Sequence, residues 1–453
     1  MLKYIKRFIM GKPKDVVVIV GTTGVGKSQF SIELAKRFNG EVINADSMQM
    51  YKGAPIITNK HPLEEREGVV HHVMNHVGWD EEYFIHRFSQ EAGEAIDDIH
   101  SRGKLPIVVG GTHYYLKALL FNNKTIPRDV TEAEDVSSKL TKEQLDILDG
   151  PPDGVLQQLQ RYDPLVAQKF HPNDTRRIRR ALEIYFSTKK SASEHYSEQK
   201  QSAHSESSLD YNILPFWLFS EKTILDKRLD DRVDKMLRDG GMQEIRELYE
   251  YYSTHEPKPD LERGVWQVIG FKEFLPWLEN GQTDDKLLRE CTEQMKARTR
   301  QYAKKQVKWI KGMFASDLQQ EEEHGYENGG RLYVLDATDL SHWNENVFER
   351  GASITEEFLQ DKVPTMSQVP KSLPFDIIPN KGQQEAKDKL KEWKHITCEV
   401  CHNSDDSPLV IVGDKQFEIH LKSKRHRSNL NRGKRKREYE EWLAKKDKTT
   451  TSQ

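Results

Sequence analysis

Gly21, Thr22, Thr23, Gly24, Val25, Gly26, Lys27 and Ser28 follow one another at the end of the stretch VVVIVGTTGVGKS, residues 16–28. Glycines at the first, fourth and sixth positions let backbone amides converge on a phosphate. The lysine adds a point charge, and the serine hydroxyl can reach Mg²⁺. A glycine-rich turn that binds nothing would leave Lys27 and Ser28 unexplained at those places. The octet therefore points to a diphosphate or triphosphate, without saying whose. A second candidate for chemistry is Asp46 in INADSMQMY. An acid just past a strand end can cap a helix, link to a metal or serve as a base, and beside a phosphate loop the last two weigh at least as much as the first.

The elements that must position these groups can be read from the surrounding pattern. The unbroken apolar run from Val16 to Val20 suits a strand buried on both faces of a parallel sheet. Phe30, Ile32, Leu34, Ala35 and Phe38 give the following segment a helical core face. Residues 40–51 read as a second short strand ending in a polar turn that carries Asp46. KLPIVVGGTHYYLKALL reads as strand, Gly-Gly-Thr turn and helix, a further βαβ crossover. Its strand ends in Gly110 and Gly111 rather than the aspartate that a nucleotide hydrolase presents to Mg²⁺. The histidines at 61, 71, 72 and 76 lack paired cysteines and are expected on a polar surface.

From 121 to 205 the chain turns helical and polar, and strand character returns at 211–220, so 121–205 reads as a helical insertion in a continuing α/β core of 15–120 and 206–340. The insertion contains Arg176, Arg177, Ile178, Arg179 and Arg180, and clustered arginine suits a phosphate backbone, although some of these can be solvated or paired with Glu183. A later helix holds seven basic residues between Lys296 and Lys311 with no acid among them, another expected polyanion face, with Tyr302, Val307 and Ile310 as its core stripe. Residues 331–339 are expected to add a last strand and 341–394 to form a linker.

Composition narrows the class of protein. With 36% hydrophobic and 31% charged residues in a chain of 453, this is a polar protein with room for two or three domains. No apolar run approaches the roughly 20 residues a bilayer-spanning helix needs, so no membrane partner is expected. Three cysteines exclude a disulfide framework and suit a reducing compartment. Two of them, Cys398 and Cys401, precede His420 and His426 in a 395–437 segment that offers four tetrahedral ligands for Zn²⁺. The 18 residues between Cys401 and His420 exceed the usual finger spacing, and a redox pair or two free thiols are the alternatives. Nine basic residues from Lys422 to Arg437 suit RNA binding or nuclear import, and a tail of 438–453 follows. Residues 1–14 are basic and apolar without an acid, which fits either a short mitochondrial targeting segment or an ordinary frayed terminus. A start at Met10 would leave the fold intact, so two starts would give a mitochondrial and a cytoplasmic form.

Taken in order, GTTGVGKS, INADSMQMY, VVGGTHYYL, HPNDTRRIRRALEIY, LDDRVDKML, VIGFKEF and TRQYAKKQVKWI resemble one family, the tRNA dimethylallyltransferases, over roughly residues 15–340. The finger is similar to that of eukaryotic, especially fungal, members. The resemblance implies an α/β fold with a P-loop NTPase-like parallel sheet core, a helical insertion for the tRNA anticodon arm and a small C-terminal Cys-Cys-His-His zinc finger. It implies transfer of a dimethylallyl group from dimethylallyl diphosphate to the exocyclic amine of adenosine 37, with Mg²⁺ bound by Ser28 and a structural Zn²⁺, and a monomer. By resemblance Thr23, Lys27 and Ser28 hold diphosphate and metal, Arg232 neutralises the leaving group, and Asp46 is the base. The tRNA contacts carried over are Asp46, Ser47, Met48, Gln49, Thr112, Arg176 to Arg180, and Val268, Ile269, Gly270 and Phe271. A stacked adenine cannot reach a buried diphosphate, so the base must be extruded. The competing readings are a P-loop kinase or ATPase acting with RNA, and a non-catalytic RNA-binding finger protein.

Overall fold

The structure is a computed structural model that describes residues 13–122, 140–202, 207–378, 394–403 and 408–432. The chain divides into two compact units, one of residues 1–125 with 202–383 and the other of 126–201 with 384–453.

The first unit is built on a six-stranded sheet with the order β3-β2-β4-β1-β5-β6. The strands are β1 (Asp15–Gly21), β2 (Gly40–Asn44), β3 (His71–His72), β4 (Leu105–Val109), β5 (Asn212–Phe219) and β6 (Tyr333–Asp336), and every pairing is parallel. β1 runs centrally, with Val17 opposite Ile107 on one side and Leu214 on the other. The alternation of a strand explains its uniform valines. Val16, Val18 and Val20 enter one apolar cluster and Val17 and Ile19 another, so both faces are dry. The helices Ile85–Ser101 and His113–Leu120 cover the first face, and Lys27–Arg37 covers the second. β2, β4 and β1 thus deliver their C-terminal ends, and the turns after them, to a single edge.

The stretch expected as a linker differs from that expectation. Residues 341–378 pack on the core, and the helix Arg350–Leu359 buries Ala352, Ile354 and Phe358 against the Lys27–Arg37 side of the sheet. Val369 and Leu373 pack on the opposite cluster. Prolines and polar residues hide an apolar set spaced for a helix face. Residues 379–393 lie outside the described residues, as do 1–12, Lys434 to Arg437 and the 438–453 tail, so the targeting and import expectations fall there.

The second unit holds the helices Lys142–Leu148, Pro152–Tyr162, Pro164–Lys169, Thr175–Thr188 and Ala192–Ser202. Its core is Leu159, Val166, Ala167, Ile178, Leu182 and their neighbours. The hairpin β7 (His395–His402) and β8 (Pro408–Val412), with the helix Asp414–Leu421, belongs to the same unit. Two histidines join the hairpin to the helices. His171 Nε2 donates to Val410 O at 2.9 Å, and His395 Nε2 donates to Phe170 O at 2.6 Å.

Candidate active site

The phosphate loop and the Asp46 turn open into one cavity of about 510 Å³ in the first unit. Thr23, Gly24, Gly26, Lys27 and Ser28 line it, while Gly21, Thr22 and Val25 do not. Val25 is a core residue, and the Thr22 carbonyl accepts the Lys27 Nζ bond at 2.8 Å. Gly26 has φ +95°, and a Cβ there would stand 2.6 Å from the Trp343 ring. Only glycine fits, because conformation and crowding both exclude a side chain. The helix Lys27–Arg37 starts immediately after, so its free amides face the cavity.

Asp46 sits two residues past β2, held by Asn44, whose Oδ1 accepts the Asp46 N–H at 3.1 Å. The Asp46 carboxylate in turn accepts the Met48 N–H at 3.1 Å. Ser47, Met48 and Gln49 line the cavity beside it. Thr112 stands behind them, its Oγ1 accepting the Ser47 N–H at 2.9 Å and donating to Ser47 Oγ at 3.1 Å. Gln49 Nε2 donates to the carbonyls of Thr58 and Asn59, tying down a further wall.

Arg232, on the helix Lys222–Met236, faces the same cavity and donates from Nη2 to Thr23 Oγ1 at 2.8 Å. Burial sets the electrostatics. It pushes the Asp46 carboxyl up, against the opposing pull of Lys27, the Met48 amide and Arg232. It pushes Lys27 down to about 8, and Arg232 down to about 10, with Asp46 resisting in both cases. Two cations and one carboxylate therefore share one cavity with a net positive charge, which suits a polyanionic ligand.

The VIGF turn divides. Val268 and Ile269 line the cavity, and Gly270 N–H donates to Glu273 at 2.9 Å. Phe271 is fully buried in the core, so as an RNA contact it is corrected to a packing residue. The arginine motif lies in the second unit, and Ile178 is likewise a core residue there. Arg179 bonds Glu183, Asp149 and the Leu148 carbonyl, Arg180 bonds Glu183, and Arg177 bonds Asp174. Arg176 is exposed and has no ion pair among the described residues. The four guanidinium groups thus split into helix-fastening and outward-facing members.

The long helix Asp285–Trp309 contributes groups that sequence reasoning missed. Met295, Thr299 and Tyr302 line the cavity, and Gln306 is buried behind it. The available signal was spacing. Cys291, Met295, Thr299, Ala303 and Gln306 recur at helical intervals, and two of them are polar. The basic face is also partly consumed. Lys296 pairs with Asp234 at 2.9 Å, Arg298 with Glu273 at 3.6 Å, and Arg300 with Asp230, which leaves Lys304, Lys305 and Lys308 exposed.

In the second unit, Cys398, Cys401, His420 and His426 place four ligand atoms within 4.8 Å of one another. His426 Nδ1 lies 3.4 Å from Cys398 Sγ and 3.6 Å from Cys401 Sγ, and His420 Nε2 lies 3.3 Å from Cys398 Sγ. Tetrahedral ligands of one Zn²⁺ stand about 3.3–3.8 Å apart, given bonds of about 2.3 Å to sulfur and about 2.0 Å to nitrogen. The cluster is compatible with a zinc finger despite the long spacing, because the hairpin takes up the extra residues. Asn429 Nδ2 donates to Cys401 Sγ at 3.3 Å, an outer partner the sequence did not suggest.

Comparison with known proteins agrees with this geometry. A family model described as IPP transferase matches residues 49–313, and one described as isopentenyl transferase matches 14–66. The tRNA dimethylallyltransferase of Saccharomyces cerevisiae is 51% identical over 453 residues, covering 99% of this chain and all of the relative. That of Schizosaccharomyces pombe is 40% identical over 94% of this chain and 97% of the relative, and that of Homo sapiens 33% over 93% and 86%. A solved structure of a eukaryotic dimethylallyltransferase acting on tRNA superposes with a TM-score of 0.80 at 50% identity, covering 95% of this chain and 100% of that one. With its phosphate loop, aspartate turn and Cys-Cys-His-His cluster in one chain, this protein belongs to the tRNA dimethylallyltransferase family of IPP transferases.

Proposed function

We propose that the chain transfers a dimethylallyl group from dimethylallyl diphosphate to the exocyclic N6 amine of adenosine 37 in the tRNA anticodon arm, releasing diphosphate. The observation that carries this reading is the shared cavity. Lys27, Arg232 and Thr23, whose hydroxyl accepts from Arg232, line it together with Asp46, so groups for the leaving diphosphate and for the nucleophile share one space. As the allylic carbon–oxygen bond breaks, negative charge grows on the diphosphate, and the fixed cations stabilise it. As the carbon–nitrogen bond forms, the amine sheds a proton to Asp46. Burial has already raised the proton affinity of this carboxylate, which brings it nearer to the range of an effective base. Ser28, at the head of its helix among oxygen donors, would hold Mg²⁺ against the diphosphate, and that ion supplies further positive charge to the leaving group. The Cys-Cys-His-His cluster would hold a structural Zn²⁺, and Arg176 with the exposed lysines of the Asp285–Trp309 helix would meet the RNA backbone.

The test is incubation with labelled dimethylallyl diphosphate, unmodified tRNA and Mg²⁺. Label should move to the tRNA, and Asp46→Asn should keep tRNA affinity while its single-turnover rate falls by about 10²-fold or more. ATP hydrolysis without label transfer would overturn the proposal in favour of a nucleotide hydrolase.

A further inference from the structure

One side chain touches both halves of the site without entering the cavity. Gln306 is 2% exposed and lies behind the wall. Its Oε1 accepts the Thr23 N–H at 2.8 Å, and its Nε2 donates to the Gly111 carbonyl at 3.2 Å. Tyr302, one turn earlier, donates its hydroxyl to the same carbonyl at 3.4 Å. A primary amide is the side chain that offers an acceptor and a donor together, whereas a carboxylate offers acceptors alone and an apolar isostere offers neither. We infer that Gln306 is a positioning residue of the transfer reaction, fixing the phosphate loop to the Gly111–Thr112 turn and so setting the separation between leaving group and attacking amine.

Three features of the surroundings support it. A Cβ at Gly111 would stand 2.3 Å from Gln306 Nε2, so glycine at this position is what admits the amide. Thr23 is held from two sides, its N–H by Gln306 and its Oγ1 by Arg232. On the far side, Thr112 receives the Ser47 N–H, and Ser47 adjoins Asp46. Hydrogen bonds thus lead from Thr23 through Gln306 to Gly111, the peptide link carries the path to Thr112, and a further hydrogen bond reaches Ser47. A misplacement of about 1 Å between reacting groups costs about 10²-fold in rate, so a link of this kind acts on catalysis without touching substrate. The inference rests on the prenyl-transfer reading of the cavity.

The experiment compares wild-type and Gln306→Met full-length chains by two measurements. Met keeps the length of the side chain and loses both hydrogen bonds. Hydrogen exchange at the Thr23 amide in the ligand-free protein should quicken at least tenfold. The single-turnover transfer rate at saturating substrates should fall about 30- to 100-fold, while KM for tRNA and the melting temperature stay near wild type. Gly111→Ala, which displaces the amide by crowding, should reproduce both effects and carries the test if Gln306→Met does not fold. Unchanged Thr23 exchange, an unchanged transfer rate, or a loss confined to tRNA KM and melting temperature would each overturn the inference. A wild-type chain that transfers no label overturns the functional reading itself, a result distinct from a wild type and a Gln306→Met variant that work equally well.

Discussion

Lys27 is a half-buried cation that lines the cavity. Its ammonium donates to the Thr22 carbonyl, and desolvation lowers its pKa to about 8. Diphosphate binds the charged form, so binding above that pH must take up a proton. Affinity for dimethylallyl diphosphate is therefore expected to weaken about fivefold between pH 8 and pH 9, and to be flat well below pH 8. In Lys27→Arg this alkaline limb should vanish, because guanidinium stays protonated across the range. Titration calorimetry of each protein against pH checks the pair. Lys27, Ser28 and Asp46 were legible in the sequence because their roles depend on neighbours a few residues away. Gln306 was not. It sits in a run of lysines and arginines and makes its contact with a residue 283 positions earlier, so only the folded chain reveals its partner.

Among the elements, the far end of the sheet is secured by one carboxylate. Glu41, at the start of β2, is 2% exposed and accepts from Arg102 Nη1 at 2.5 Å, Lys104 at 2.7 Å and His72 on β3 at 2.7 Å. Arg102 first, and then Lys104 and His72, hold its carboxyl well below the usual carboxylate range. A depressed pKa contributes stability that is full above the unfolded value of about 4.3 and is lost as pH falls below it. Glu41→Gln should therefore cost about 2 kcal/mol at pH 7, less than the roughly 3–5 kcal/mol for breaking a fully buried pair because Arg102 and Lys104 remain partly in water. The difference from wild type should shrink below about pH 4, as measured by urea unfolding at the two pH values. Elements themselves were readable where periodicity was strong, as in the valines of β1. The 341–378 segment was misread because its few apolar residues are diluted by polar ones, and only tertiary contact selects them. The basic helix was half misread for a related reason, since the acids that pair with Lys296, Arg298 and Arg300 lie on other helices.

At the scale of the molecule, the chain crosses between its two units more than once, and the hairpin near its end joins the inserted helices through His171 and His395. On the proposal that Cys398, Cys401, His420 and His426 hold Zn²⁺, its removal with a chelator is expected to unfold the hairpin cluster, since three buried ligands and the half-buried His420 lose their common partner. Hydrogen exchange should then rise across 395–421 and also at Phe170 and His171, and tRNA affinity should fall with a shallower dependence on salt. An unaltered salt slope in the zinc-free protein would show that the finger makes no phosphate contacts.

The crowding of Trp343 onto Gly26 ties the phosphate loop to the order of synthesis. The loop leaves the ribosome ahead of the indole that crowds it, which is made more than three hundred residues later. Trp343 Nε1 then donates to Glu33 at 3.0 Å, on the helix the loop begins. A nascent chain can lay down β1 to β5 with the loop still open on that side. The loop therefore acquires its finished shape only after nearly the whole first unit has been translated.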